Sequence, residues 1–549
     1  VRERIHAKNI LILIVISYFF FIFGNSFLSL TDPDEVFYTQ TAKEMVQHKT
    51  WMTPVLFDQP QFEKPIFTYW LLRLGFIFFG VTNFGARFFP AFFALLGVVA
   101  VYLLGVLGFR DNRKAFLSSL ILASSGLYVG LARTVFTDMF FSVLILFSLV
   151  AFFWGYINRE RKTLSFLLFF IFAGLAVLAK GPLGLLIVLA TVLLFLIIQK
   201  NVRFILCREF LFGFLAFLLV ALPWYIFMAK TYGAAFNQEF FYNDHWRRVI
   251  EAEHAKNDTW YFYPASAIGC MFPWSLFVLG ALFFLKTRMT KGGLPLDSFL
   301  VSCVVSVLLI FQFAHSKLVS YIFPAIPALA LITGNFVAEN LKNKTMGRFF
   351  KIAVYVTLGI LFLIPVVLWG AGSRFAHYIS YKPSVYIMMV VSFLVFLAML
   401  IFVLKKDIFK SLMALSGFLP LMFLTAVIAA RPNFEPYVSS KYSGMYLNEQ
   451  EGVEGAIVCT KFFARGVRFY TDRPVAILEV NGKQFFSPHP VAFLDTQQKA
   501  IEFLKQQPVT YAVLKKSVAG DLEKTLGPGF KNSVLNTFGN EVVVRIERM

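Results

Sequence analysis

The chain has 549 residues, 58% of them hydrophobic and 18% aromatic, which is more apolar surface than a soluble fold of that length can hide. This excludes an ordinary globular protein and makes a bilayer the solvent for most of the chain. The net charge of +20 does not point to nucleic acid, because Lys and Arg fall in short links between apolar runs.

In chain order, the first apolar run, 10–30, follows Arg2, Arg4 and Lys8 without a small-x-small cleavage site and reads as a retained signal-anchor helix with a cytoplasmic N-terminus. A long loop, Leu30 to Asn83, follows. Within it Glu35 to Gln47 reads as an amphipathic helix and Ile66 to Gly80 as an apolar stretch short for a span, both expected at the membrane interface. Further spans are expected at 85–108, 115–135, 138–157, 164–179, 181–199, 209–229, 264–285, 295–313, 318–340, 352–371, 384–404 and 411–430, about thirteen in all. Every second link is basic: Arg110, Arg113 and Lys114; Arg159, Arg161 and Lys162; Lys200, Arg203 and Arg208; Lys286, Arg288 and Lys291; Lys342, Lys344, Arg348 and Lys351; Lys405, Lys406 and Lys410. The positive-inside rule places these in the cytoplasm, and an odd number of spans puts the C-terminal part on the periplasmic side.

From Arg431 onward the composition is that of a soluble chain. Strand-like runs at Ala456–Cys459, Val475–Val480, Val509–Leu514 and Glu541–Ile546, with an amphipathic helix at Thr496–Gln506, predict a small α/β domain over 431–549 behind a membrane domain over 1–430. Cys207, Cys270, Cys303 and Cys459 are scattered, so neither a disulfide framework nor a zinc-thiolate site is expected. No internal repeat is visible.

The remaining links hold the unusual residues, and all fall on the outer face. The first loop opens with Asp32, Pro33, Asp34 and Glu35 and later gives Glu63, Lys64 and Pro65, which joins a candidate base to an anion-binding cation. Solvated charges and helix capping by Asp32 or Asp34 account for the same pattern. Arg133 and Asp138 flank a helix junction with almost no loop, and Lys180 precedes Gly181 and Pro182 in a tight turn. Ionisable groups so near hydrocarbon are costly unless paired or facing a water-filled cavity, although Lys180 also suits a snorkelling anchor. The link 230–263 adds Glu239, Asp244, His245, Arg247, Arg248, Glu253 and His254, followed by Trp260, Tyr261 and Tyr263, which suit an interface belt. His315, Lys317 and Tyr321 form the last cluster. Polar groups at one face without a repeat favour an enzyme over a lipid-linked sugar transporter or flippase, whose site sits near the midplane.

Asp34-Glu35 with Tyr38 and Ala42, Glu63-Lys64-Pro65 with Tyr69-Trp70-Leu71, Ala132-Arg133 with Asp138, Lys180-Gly181-Pro182, His245-Trp246-Arg247-Arg248, and Ser316-Lys317-Leu318 with Tyr321 and Pro324 form an ordered set. As a set they resemble the lipid A 4-amino-4-deoxy-L-arabinose transferases and the related protein O-mannosyltransferases. The resemblance covers essentially the membrane part. It implies a multi-helix glycosyltransferase fold of the C type. It also implies transfer of a sugar from undecaprenyl phosphate to lipid A at the periplasmic face of the bacterial inner membrane, without a nucleotide cofactor, or transfer to protein or another glycan. On the same ground Asp34 and Asp138 are expected at the reacting centre, Lys64, Arg248, Tyr321, Glu35 and Lys180 around the substrates, and a divalent metal ion such as zinc near Glu63 and His245. One departure stands out: the family often has arginine three residues after the first aspartate, and here that residue is Phe37, so one phosphate contact is either missing or replaced by Lys180 or Arg247.

Overall fold

The computed structural model describes residues 2–251, 257–342, 346–374, 382–480, 482 and 491–549, and only the backbone of 2–4, 245, 248, 249, 372 and 382. A bundle of long apolar helices carries a six-stranded α/β domain at one end. Among the described residues ten helices are long and apolar enough to cross a membrane, or up to eleven if Asn112–Ala123 and Gly126–Ala132, bent by 64°, form one span. The other two of the expected thirteen spans fall on shorter pieces. Leu183–Ile198 is a helix of 16 residues, roughly 24 Å against the 30 Å of a hydrocarbon core. The expected 264–285 is divided between the short helix Phe262–Gly269 and the 16-residue Ser275–Thr290.

Small residues let the helices approach closely. A Cβ on Gly105 would press on Ala115, and one on Gly334 would collide with Ser118, so these two helix crossings bring backbone against backbone, as membrane interiors favour. Helix Asn83–Phe109 begins with the Thr82 hydroxyl accepting from the Gly85 N–H and ends at Arg110 in the left-handed region (φ 55°). It runs the full depth of the bundle, from the end that carries the soluble domain to the end where the basic links gather.

The first loop differs from expectation. The helix Asp34–Gln47 forms where the pattern predicts it, but eleven of its residues, Glu35 to Met45, are buried. It does not lie with a polar face open at the interface, because the soluble domain covers that face. The short apolar helix Phe67–Phe79 packs beside it.

In the soluble domain the strands are β1 (Ile457–Cys459), β2 (Val475–Leu478), β3 (Ala492–Leu494), β4 (Val509–Lys515), β5 (Phe530–Phe538) and β6 (Glu541–Arg548). Their order across the sheet is β3-β2-β1-β4-β6-β5, with β3, β2, β1 and β4 mutually parallel and β6 antiparallel to both β4 and β5. Apolar side chains from both faces of the sheet form two cores, one around Leu478, Leu514 and Ile546 and one around Val467, Ile477 and Val543. The last long helix continues as far as Val438, past the composition change at 430.

Candidate functional site

Asp34 opens the loop helix and stays exposed, with the helix dipole favouring its negative charge. Its neighbour Glu35 points the other way. Arg87 clamps its carboxylate through Nε at 2.8 Å and Nη2 at 2.6 Å, Thr31 donates N–H at 3.0 Å and Oγ1 at 2.9 Å, and the Val135 N–H donates at 3.0 Å. Burial alone would push Glu35 up, but Arg87 and the Thr31 donors outweigh it and hold the carboxyl below its usual range. Arg87 in turn donates to the carbonyls of Asn25, Leu28 and Ser29. The expectation that Glu35 contacts substrate is therefore corrected: fully buried and bonded by five donors, it fixes the loop to the bundle.

Arg133 is structural as well, donating to the carbonyls of Phe20 and Phe23 at the end of the first span. The two expected lysines behave differently. Lys64 holds Asp244 with Nζ at 2.7 Å from both carboxylate oxygens, joining the first loop to the irregular helix Asn237–Trp246. Lys180 holds Asp138 at 2.6 Å, with its ammonium 4.9 Å from the centre of the Tyr321 ring. Both carboxylates are nearly inaccessible, while the lysine side chains keep 14% and 15% of their surface. Asp34 and Asp138 both act on the Tyr38 hydroxyl, which places the two expected acids around one buried tyrosine. Glu63 lies beside it through Tyr69, whose hydroxyl accepts from Gln61 at 2.6 Å.

His315 and Lys317 converge on Asp258, at 2.7 Å and 2.9 Å, at the rim of this region. Arg247 pairs with Glu251 at 2.7 Å, one turn along its own helix. The side chains of His245 and Arg248, and all of Glu253 and His254, lie outside the described residues. Among the described residues no group of three or more His, Cys, Asp or Glu side chains converges. The described donors therefore do not by themselves fit a divalent ion.

One cation was not expected. Arg465 comes from the soluble domain, on helix Ala464–Thr471, and its guanidinium lies 4.6 Å from the centre of the Phe37 ring, with Nη1 donating to the Pro33 carbonyl at 3.4 Å. Burial lowers its pKa, while Glu63, Asp34, Tyr38 and Tyr69 act the other way. It thus stands over the residue where the sequence departs from the resembled pattern, although nothing local in 431–549 marks it.

The soluble domain is held against the loop helix by separate contacts. Arg468 reaches Glu44 at 3.2 Å and Asp58 at 2.6 Å, and Lys43 bonds the Phe469 carbonyl at 2.7 Å and Asp472 at 2.8 Å. Asp32 accepts from the Ser440 N–H at 2.7 Å and Oγ at 2.8 Å, and the Ser440 hydroxyl also reaches Glu541 at 2.8 Å. Burial pushes the Asp32 carboxyl up to about 7 against those hydrogen bonds.

Residues 7–237 match the family model of dolichyl-phosphate-mannose-protein mannosyltransferases. An undecaprenyl phosphate-alpha-4-amino-4-deoxy-L-arabinose arabinosyl transferase from Yersinia pestis is 32% identical over 351 residues, 62% of this chain and 62% of its own length. The protein of the same name from Photorhabdus laumondii is 29% identical over 67% of this chain and 66% of its own. This chain thus aligns with under two thirds of the length of these curated relatives. In fold it is similar to ArnT from Cupriavidus metallidurans, crystallised with undecaprenyl phosphate, at a TM-score of 0.79 over 97% of both chains and 18% identity. An archaeal oligosaccharyltransferase from Archaeoglobus fulgidus has a TM-score of 0.53 at 13% identity, over 95% of this chain and 71% of its own.

Proposed function

We propose that the chain belongs with the multi-pass membrane glycosyltransferases that take in the lipid A aminoarabinose transferases and the protein O-mannosyltransferases, and that it moves a sugar from undecaprenyl phosphate to lipid A. The sugar in this reading is 4-amino-4-deoxy-L-arabinose or a close analogue, and the site faces the periplasm from the inner membrane. The observation that carries the reading is the pair of lysines, Lys64 and Lys180, each fixed by a nearly inaccessible carboxylate, with Asp138, the partner of Lys180, acting together with Asp34 on the Tyr38 hydroxyl.

The transfer breaks the bond between the anomeric carbon and the carrier phosphate oxygen, and the electron pair leaves with the phosphate. Ammonium groups already held in position by Asp244 and Asp138 meet that growing charge without reorganising, where little water competes. A lipid A phosphate arrives as an anion and needs no base. A hydroxyl acceptor would lose its proton to Asp34 as the new bond to carbon forms.

The family-model match over 7–237 supports a second acceptor, a protein hydroxyl, for the same donor chemistry. The test is mass spectrometry of lipid A from cells with the protein, without it, and with Lys64→Ala. A mass increment present only with the active protein is expected, and its size names the sugar. Unmodified lipid A beside newly glycosylated protein selects the second acceptor, and no new glycoconjugate of either kind overturns transfer altogether.

A further inference from the structure

We infer that Arg465, carried by the soluble domain, is a phosphate-binding residue of the membrane site, so that the two parts of the chain form one binding centre. The inference rests on the reading of that site as one for a phosphate-linked lipid. Its first support is position. The guanidinium sits against the Phe37 ring and the Pro33 carbonyl, the residues on either side of Asp34 and Glu35, and the charges it feels first are Glu63, next to Lys64, and Asp34.

The second support is that docking is secured by other residues. Arg468, Lys43, Asp32 and Ser440 already tie the domain to the loop helix. Placing one more guanidinium in a half-buried setting costs free energy that those contacts do not require. The third support is how closely the helix is set. A Cβ on Gly466 would run into the Asp32 carboxylate, so glycine beside Arg465 is what brings this turn up to the loop.

Chemistry then selects the ligand. Lys64 and Lys180 are each committed to a buried carboxylate, so a phosphate entering beside Asp34 gains from a further donor. A guanidinium offers a planar fork whose geometry matches two phosphate oxygens. The ligand is a phosphate ester on a lipid, belonging either to the donor carrier or to the acceptor.

The test uses the purified full-length protein in nanodiscs, with Arg465→Met and Arg465→Lys beside the wild type. Titration with undecaprenyl phosphate measures carrier binding, and initial rates against acceptor lipid give its KM. Limited proteolysis reports whether the soluble domain stays docked. Arg465→Met is expected to weaken one of the two, the carrier affinity or the acceptor KM, by about 10- to 100-fold, the range for one charge-assisted contact, with docking kept and Arg465→Lys recovering part of the loss. Which of the two moves identifies whose phosphate it is. If neither constant moves, or if both move only together with undocking that Arg465→Lys does not correct, the inference is overturned. If the wild type binds no undecaprenyl phosphate and transfers to no acceptor, the underlying reading has failed instead.

Discussion

The two ends of the helix bundle use charge in different proportions: the basic end holds mostly exposed cations, with one inaccessible carboxylate among the described residues, Asp297, held by Arg288 at 3.0 Å. At the basic end Lys8, Arg110, Arg113, Lys351 and Lys406 line a cavity of about 1780 Å³, and several acids there serve helix starts: Asp111 accepts from the Arg113 N–H, Asp297 from Leu294, and Asp407 from Lys410. At the domain end fewer cations occur, but Arg87, Lys64 and Lys180 each grip a carboxylate that is nearly or fully inaccessible. Abundant charge in short links sets orientation in a membrane, which costs little because water solvates it. Buried charge survives only where a partner compensates desolvation of several kcal/mol per ion, so its presence marks architecture or chemistry.

The largest expected effect separates those last two. Arg87→Met leaves the Glu35 carboxylate without its clamp in a dry site, and the loss of stability is expected to reach about 3–5 kcal/mol, the usual penalty for removing one partner of a buried pair. Thermal unfolding in detergent measures it, and a melting temperature equal to wild type would refute the structural role given to this pair.

Lys180→Met is expected to lower transfer by about 100-fold, as for loss of a preorganised group that meets developing charge. At the other end Lys114, which pairs with Glu339, is the matched control, and Lys114→Met is expected to leave turnover unchanged. Equal losses in the two variants would erase the distinction between the ends. A smaller effect is expected from Gly466→Ala, in which the added methyl meets the Asp32 carboxylate and forces the domain outward. Overpacking of this kind costs about 1–3 kcal/mol, seen as faster proteolytic release of residues 440–549.

These contrasts also explain what was legible beforehand. Spanning helices announce themselves by length and hydropathy, and Lys64, Lys180 and Asp138 stand out because a charge beside hydrocarbon is conspicuous. Glu35 misled because a carboxylate next to Asp34 in sequence reads as its companion, while its clamp, Arg87, lies 52 residues on inside a spanning helix. Arg465 gave no signal at all, being one basic residue in a soluble segment more than four hundred residues from the loop it joins. Strand β5 escaped because it alternates exposed and half-buried positions with polar residues such as Lys531, Asn532 and Asn536, and β3 because three residues carry no period.

The response to pH tests whether the domain interface is structural or poised. Asp32 has its folded-state pKa raised from 3.8 to about 7, chiefly by burial, so between those values the docked protein holds a proton that the released, solvated loop gives up. Its contribution to docking is therefore complete below about 3.8 and is lost as pH rises through 7. Glu541, which shares the Ser440 hydroxyl with Asp32, is pushed the same way by burial and then by the Asp32 charge, which extends the trend to higher pH. Proteolytic release of the domain is expected to speed up between pH 5 and pH 7, inside the interval in which only the released loop is ionised. In Asp32→Asn a neutral side chain occupies the same contact with Ser440, and the slope should flatten to what Glu541 leaves. A slope unchanged by that substitution would move the pH response away from this contact and leave the interface rigid, with the ion pairs of Arg468 and Lys43 as its main support.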